Sequence, residues 1–85
     1  MQQVGLRMTD AQSTYEAKLQ LLREYQVEQL TGAWQQCSVA LQYSGAGNDE
    51  AANVAMNRMV ILLAEATKTA IEIAKRKAAE AGDGR

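Results

Sequence analysis

Apolar residues recur along the chain at steps of three and four, the spacing that places side chains on one face of an α-helix. In the first half, the residues that share such a face are Tyr15, Leu19, Leu22, Gln26, Leu30, Ala33, Cys37, Ala40 and Leu41. In the second half they are Ala52, Met56, Met59, Val60, Leu63, Thr67, Ala70, Ala74 and Ala78. The pattern predicts two long helices, at about 13–43 and 50–81, with these faces packed against each other. The steps from Tyr15 to Cys37 come closer to an 11-residue recurrence than to a heptad, so we expect little left-handed supercoiling.

A turn-forming segment, residues 44–49, separates the two helical stretches. It contains two glycines together with Asn48 and Asp49, residue types that favour turns and helix caps. A loop of about six residues is typical of neighbouring helices that run antiparallel. We therefore expect an all-α fold, an antiparallel two-helix hairpin over residues 10–82, with Asn48 or Asp49 capping the second helix.

The ends of the hairpin are less sharply marked at the first helix than at the second. Two capping patterns, at 9–12 and 13–16, offer starts for the first helix. Gly82 is expected to end the second helix in the left-handed conformation. Residues 1–9 are expected to form a flexible arm and residues 83–85 a tail.

A further set of apolar residues lies outside the two inner faces. It consists of Leu21, Tyr25, Val39 and Tyr43 in the first helix and Val54, Ile61, Leu62 and Ile73 in the second. A hairpin has one seam, so these side chains would stay in water, and each would forgo about 1.5 to 3 kcal/mol of burial. We therefore expect a homo-oligomer, most simply a dimer that forms a four-helix bundle, with a different protein as the alternative covering partner. Together with Trp34, on the edge of the inner face, these residues form the predicted oligomer or partner interface.

Composition argues against catalysis and metal binding. The 85 residues include one cysteine, Cys37, and no histidine. An intrachain disulfide is therefore impossible, and the usual zinc and di-metal sites lack their histidine ligands. Cys37 lies on the inner face of the first helix, so it is expected to be a buried structural thiol. The sequence also offers no histidine that could activate it. We predict no catalytic residue, no metal site, no cofactor and no enzymatic activity.

The charge balance does not indicate a nucleic-acid partner. Nine Lys and Arg residues stand against ten Asp and Glu residues, a net charge of −1. The one basic cluster, Lys75, Arg76 and Lys77, is interrupted by Glu72 and Glu80. Its position near the end of the second helix is explained by favourable interaction with the helix dipole. Nucleic-acid contact through this cluster remains an alternative hypothesis.

Neither a membrane span nor a signal peptide is evident. The longest apolar run, residues 59–64, is six residues long, whereas a membrane helix needs about 20. We expect a soluble cytoplasmic protein that does not enter a membrane. The leading functional hypothesis is a non-catalytic protein–protein interaction module, such as an adaptor, chaperone or inhibitor. The alternatives are a dimeric nucleic-acid-binding regulator and a structural subunit of a larger assembly.

Overall fold

Two helices lying side by side form the whole of the described fold. The computed structural model describes residues 10–83, and the side chains of residues 13–82. Within that range α1 spans Asp10–Gly45 and α2 spans Asp49–Asp83. The pair measures 61 × 30 × 12 Å, so it is a single layer of helices. The predicted all-α hairpin is confirmed.

The helices meet along a seam whose positions alternate steps of three and four. Its members are Leu19, Leu22, Gln26, Gln29, Ala33, Gln36 and Ala40 on α1, and Ala52, Ala55, Met59, Leu62, Ala66, Thr69, Ile73 and Arg76 on α2, each buried or half-buried. This is heptad spacing, so the expected 11-residue recurrence is wrong. The hydropathy pattern passed over Gln29 and Gln36 because they are polar, although both occupy contact positions.

Alanine dominates the buried part of the seam. Among the described side chains, 13–82, the buried apolar residues are Leu19 and five alanines, Ala33, Ala40, Ala52, Ala55 and Ala66. Such small side chains let the two backbones approach closely. Gly32 extends this close approach, because a Cβ atom there would lie 3.1 Å from Cδ1 of Leu62.

The seam is rotated relative to the predicted inner faces. Leu30 and Leu41, expected in the core, are exposed, as are Met56, Val60 and Leu63. Conversely, the prediction that Val39, Leu62 and Ile73 would lie uncovered is wrong, because all three are half-buried. The physical reason is that the helices close on their small residues and leave the larger apolar side chains to flank the contact.

The connection between the helices is shorter than the predicted segment 44–49. Ser44 and Gly45 extend α1, which leaves residues 46–48 as the link. Gly47 adopts a φ of +79°, in the left-handed region that glycine enters without steric cost. The amide of Asn48 donates to the carbonyl of Tyr43 at 2.8 Å, which closes α1 with the bond typical of a glycine-terminated helix.

Asn48 also starts the second helix. Its side-chain Oδ1 accepts a hydrogen bond from the amide of Ala51 at 3.2 Å. Its carbonyl accepts the first helical bond, from the amide of Ala52 at 3.0 Å. Of the two predicted caps, Asn48 therefore serves α2, while Asp49 and Glu50 place negative charge in its first turn.

The outer ends of both helices run further than expected. Among the described residues α1 begins at Asp10, within the first of the two capping patterns. α2 continues through Gly82 to Asp83, so the predicted termination at Gly82 is wrong. The predicted arm, 1–9, and residues 84–85 of the tail lie outside the described residues. Neither described helix has an apolar stretch long enough to cross a membrane.

Candidate interaction surfaces

The flat hairpin presents two broad faces, one on each side of the seam. One face carries two adjoining shallow grooves lined by Leu30, Ala33, Trp34, Cys37, Ala40, Leu41, Ser44, Met56, Met59 and Leu63. No charged side chain lines either groove. Helical spacing places Val27 and Val60 beside them, three residues before Leu30 and before Leu63 respectively. We call these groove residues, with Val27 and Val60, the apolar face.

Large side chains on the apolar face are mostly open to solvent in the single hairpin. Trp34 and Leu41 are each 69% exposed, and Val60 is 58% exposed. Cys37 lies between them and is half-buried. The predicted buried thiol is thus only partly covered, and it sits among apolar neighbours.

The opposite side of the seam, the mixed face, combines apolar and charged residues. Its grooves are lined by Tyr25, Glu28, Gln29, Gln36, Val39, Tyr43, Ala51, Val54, Ala55, Arg58, Leu62 and Glu65. Leu21, four residues before Tyr25, and Ile61, seven after Val54, extend this face by helical spacing. Any partner that covers the mixed face must accommodate Glu28, Arg58 and Glu65.

The structure divides the predicted interface residues among three places. The seam holds Leu62 and Ile73, and the apolar face holds Trp34. The mixed face holds the remaining six, Leu21, Tyr25, Val39, Tyr43, Val54 and Ile61. The sequence pattern missed most of the apolar face because it assigned those residues to the hairpin core. A strict heptad count, with Gln29, Gln36, Ala55 and Ala66 admitted as contact residues, would have separated the two surfaces.

A buried polar cluster lies within the seam. The hydroxyl of Thr69 is 2.9 Å from Oε1 of Gln29 and 3.1 Å from the carbonyl oxygen of Glu65. Nearby, Nε2 of Gln26 donates to the carbonyl of Ala66 at 3.3 Å. Buried polar groups are costly unless they are paired, so these contacts favour one register of α1 against α2.

The basic cluster does not form a single surface. Successive helical residues point about 100° apart, and Arg76 turns toward the seam, where its Nε lies 3.3 Å from the Glu72 carboxylate. Lys75 and Lys77 are exposed to either side of it. Asp83, the last residue of α2, is six residues beyond Lys77, so the helix-dipole explanation for the cluster is wrong.

Within residues 10–83 no group of three or more His, Cys, Asp or Glu residues is placed to hold a metal ion. Comparison with protein-family models, curated proteins and solved structures finds no match for the chain. The described features that bear on function are therefore the two faces and the seam.

Proposed function

We propose that the protein is a non-catalytic interaction module that works as a homodimer, with two hairpins forming a four-helix bundle. The observation that supports this is the inverted distribution of apolar side chains. Among the described residues, thirteen large hydrophobic side chains are exposed, whereas one leucine and five alanines make up the buried apolar set. Burial of large apolar side chains is the main favourable term in folding, so the hairpin alone is poorly stabilised.

Association with a second copy would supply the burial of large apolar side chains that the single hairpin lacks. Each large side chain that moves from water into an interface contributes about 1.5 to 3 kcal/mol when it is fully covered. A dimer adds this burial without extending the chain, and the surfaces left outside the bundle remain free to bind a protein partner, as in an adaptor, chaperone or inhibitor. We place this activity in the cytoplasm, where an unpaired Cys37 stays reduced.

The nucleic-acid alternative receives little support from the arrangement of the cations. Arg76 is engaged with Glu72, and Lys75 and Lys77 point to different sides of α2. A phosphate backbone is bound by several cations on one surface. If the alternative held, replacing Lys75 and Lys77 with glutamine would weaken salt-sensitive DNA binding; we expect no such binding to be present.

The proposal is tested by the mass of the native protein in solution. Size-exclusion chromatography with light scattering, combined with sedimentation equilibrium over a wide dilution range, is expected to give twice the chain mass. A monomer mass at every concentration, with the helical circular dichroism intact, would refute the dimer. Open-ended polymers would instead indicate a subunit of a larger assembly.

A further inference from the structure

We propose that the dimer forms through the apolar face, which closes against the apolar face of a second copy. This inference rests on the proposed dimer and names the surface that builds it. It also replaces the interface expected from the sequence, most of which lies on the mixed face.

The apolar face repeats the spacing of the intramolecular seam. Its positions are Val27, Leu30, Trp34, Cys37 and Leu41 on α1, and Met56, Val60 and Leu63, continued by Thr67, Ala70 and Ala74, on α2. They alternate steps of three and four, as the seam does. A helix in a four-helix bundle contacts two neighbours and needs two adjacent seams of the same period. Such a second seam runs from Val27 to Leu41 on α1 and from Met56 to Ala74 on α2, and charged residues, Arg23 and Lys77, come next at the same spacing. A second copy offers the matching pair.

The mixed face lacks this continuity. On α1 its apolar positions are interrupted by Glu28, and on α2 by Arg58, Glu65 and Lys68. Glu65 is already paired with Lys68, at 3.5 Å, in an exposed contact. Burying these charges in a symmetric interface would remove them from water at a cost that apolar contacts must then offset. Pairing through the apolar face leaves them solvated.

The size of the apolar face fits a dimer interface. The large side chains of the apolar face that are open to solvent are between 41% and 69% exposed: Val27, Leu30, Trp34, Leu41, Met56, Val60 and Leu63. Taking about 100 Å² for each full aliphatic side chain and about 200 Å² for tryptophan, these residues expose roughly 450 Å² per copy. Two copies then cover about 900 Å² through these side chains alone, and the surrounding residues bring the total toward the 1,200 to 2,000 Å² of stable interfaces. Because the same face is present on both copies, twofold pairing allows the two faces to cover each other.

Two valines on α2 provide a matched test. Val60 on the apolar face is 58% exposed and Val54 on the mixed face is 50% exposed. In sedimentation equilibrium we expect Val60→Lys to raise the dimer dissociation constant at least about 100-fold, because twofold symmetry buries the lysine twice. Val54→Lys is expected to change it by less than about threefold. Leu41→Lys and Leu21→Lys, exposed to 69% and 65%, repeat the comparison on α1.

Emission from Trp34, the single tryptophan, gives a readout that needs no substitution. In the isolated hairpin this side chain is 69% exposed. Blue-shifted tryptophan fluorescence and protection from acrylamide quenching in the wild-type dimer would therefore mean that a second copy covers Trp34. This measurement decides the matter if Val60→Lys fails to fold. A dimer with solvent-exposed Trp34, or one disrupted by Val54→Lys and not by Val60→Lys, would overturn the apolar face while leaving the proposed dimer intact. A wild-type monomer would refute both.

Discussion

The contact between Gln29 and Thr69 allows a quantitative test of what specifies the seam. Both residues are only 7% exposed, and the Thr69 hydroxyl lies 2.9 Å from the Gln29 amide oxygen. Thr69→Val removes the hydroxyl while keeping the shape of the side chain. The Gln29 amide then remains buried without this partner, which we expect to cost about 1 to 3 kcal/mol of unfolding free energy.

The reciprocal change should cost less. In Gln29→Leu the Thr69 hydroxyl keeps the Glu65 carbonyl, 3.1 Å away, as a partner. Leucine also adds apolar surface at a buried position, so we expect this variant to lie within about 1 kcal/mol of the wild type. The double variant replaces both partners with apolar groups and should match or exceed wild-type stability. The double-mutant cycle then gives a favourable coupling of about 1 to 3 kcal/mol between Gln29 and Thr69.

Urea unfolding followed by far-UV circular dichroism measures all four proteins. The protein concentration must be held constant, because the proposed dimerisation would make the apparent stability depend on it. Additive effects of the two substitutions would show that Gln29 and Thr69 do not interact and that their contact does not set the register of the seam. A double variant that is more stable but gives more than one set of backbone NMR signals would show that the Gln29–Thr69 pair chiefly specifies one alignment of the helices.

Two further predictions concern glycines and use the same unfolding assay. Gly47→Ala forces a side chain into the left-handed conformation and is expected to destabilise the protein by about 1 kcal/mol or more, whereas Gly45→Ala, in helical backbone with no atom near its added Cβ, should be neutral or stabilising. Equal effects would contradict the assigned turn. Gly32→Ala gains up to about 1 kcal/mol of helix propensity, and we expect a net gain because the half-buried Leu62 side chain, 3.1 Å from the added Cβ, has room to shift. A net loss would mean that Leu62 is held in place by its surroundings.

The architecture of the hairpin was predictable because its signals are local. Helix-forming residues fill both halves of the chain, and the sequence around Gly47 and Asn48 provides a stop and a start that need no tertiary partner. The rotation of the seam was not predictable in the same way. Gln29 occupies a buried position because Thr69 satisfies it, and that pairing is invisible until the helices are aligned.

The candidate surfaces were likewise predictable only in part. Exposure of Leu21, Tyr25 and Val54 was anticipated from their helical spacing. The apolar face was hidden because Leu30 and Val60 are the kind of residue that a hydropathy pattern assigns to a core. Choosing between alanine and leucine as the contact residue depends on how closely two backbones approach, which is a property of the assembled pair.

Within residues 10–83 the hairpin is a layer 12 Å thick, and no second layer of these residues covers the backbone of either helix. Amides along both helices of a lone molecule should therefore exchange with deuterium after small opening motions, and a protease should find cleavable sites throughout. We expect lasting protection from deuterium exchange and from proteolysis only when another molecule covers the flat hairpin. If the proposed dimer forms, the lifetime of newly made chains in a cell should rise with their concentration, because chains that have not yet paired are more readily degraded.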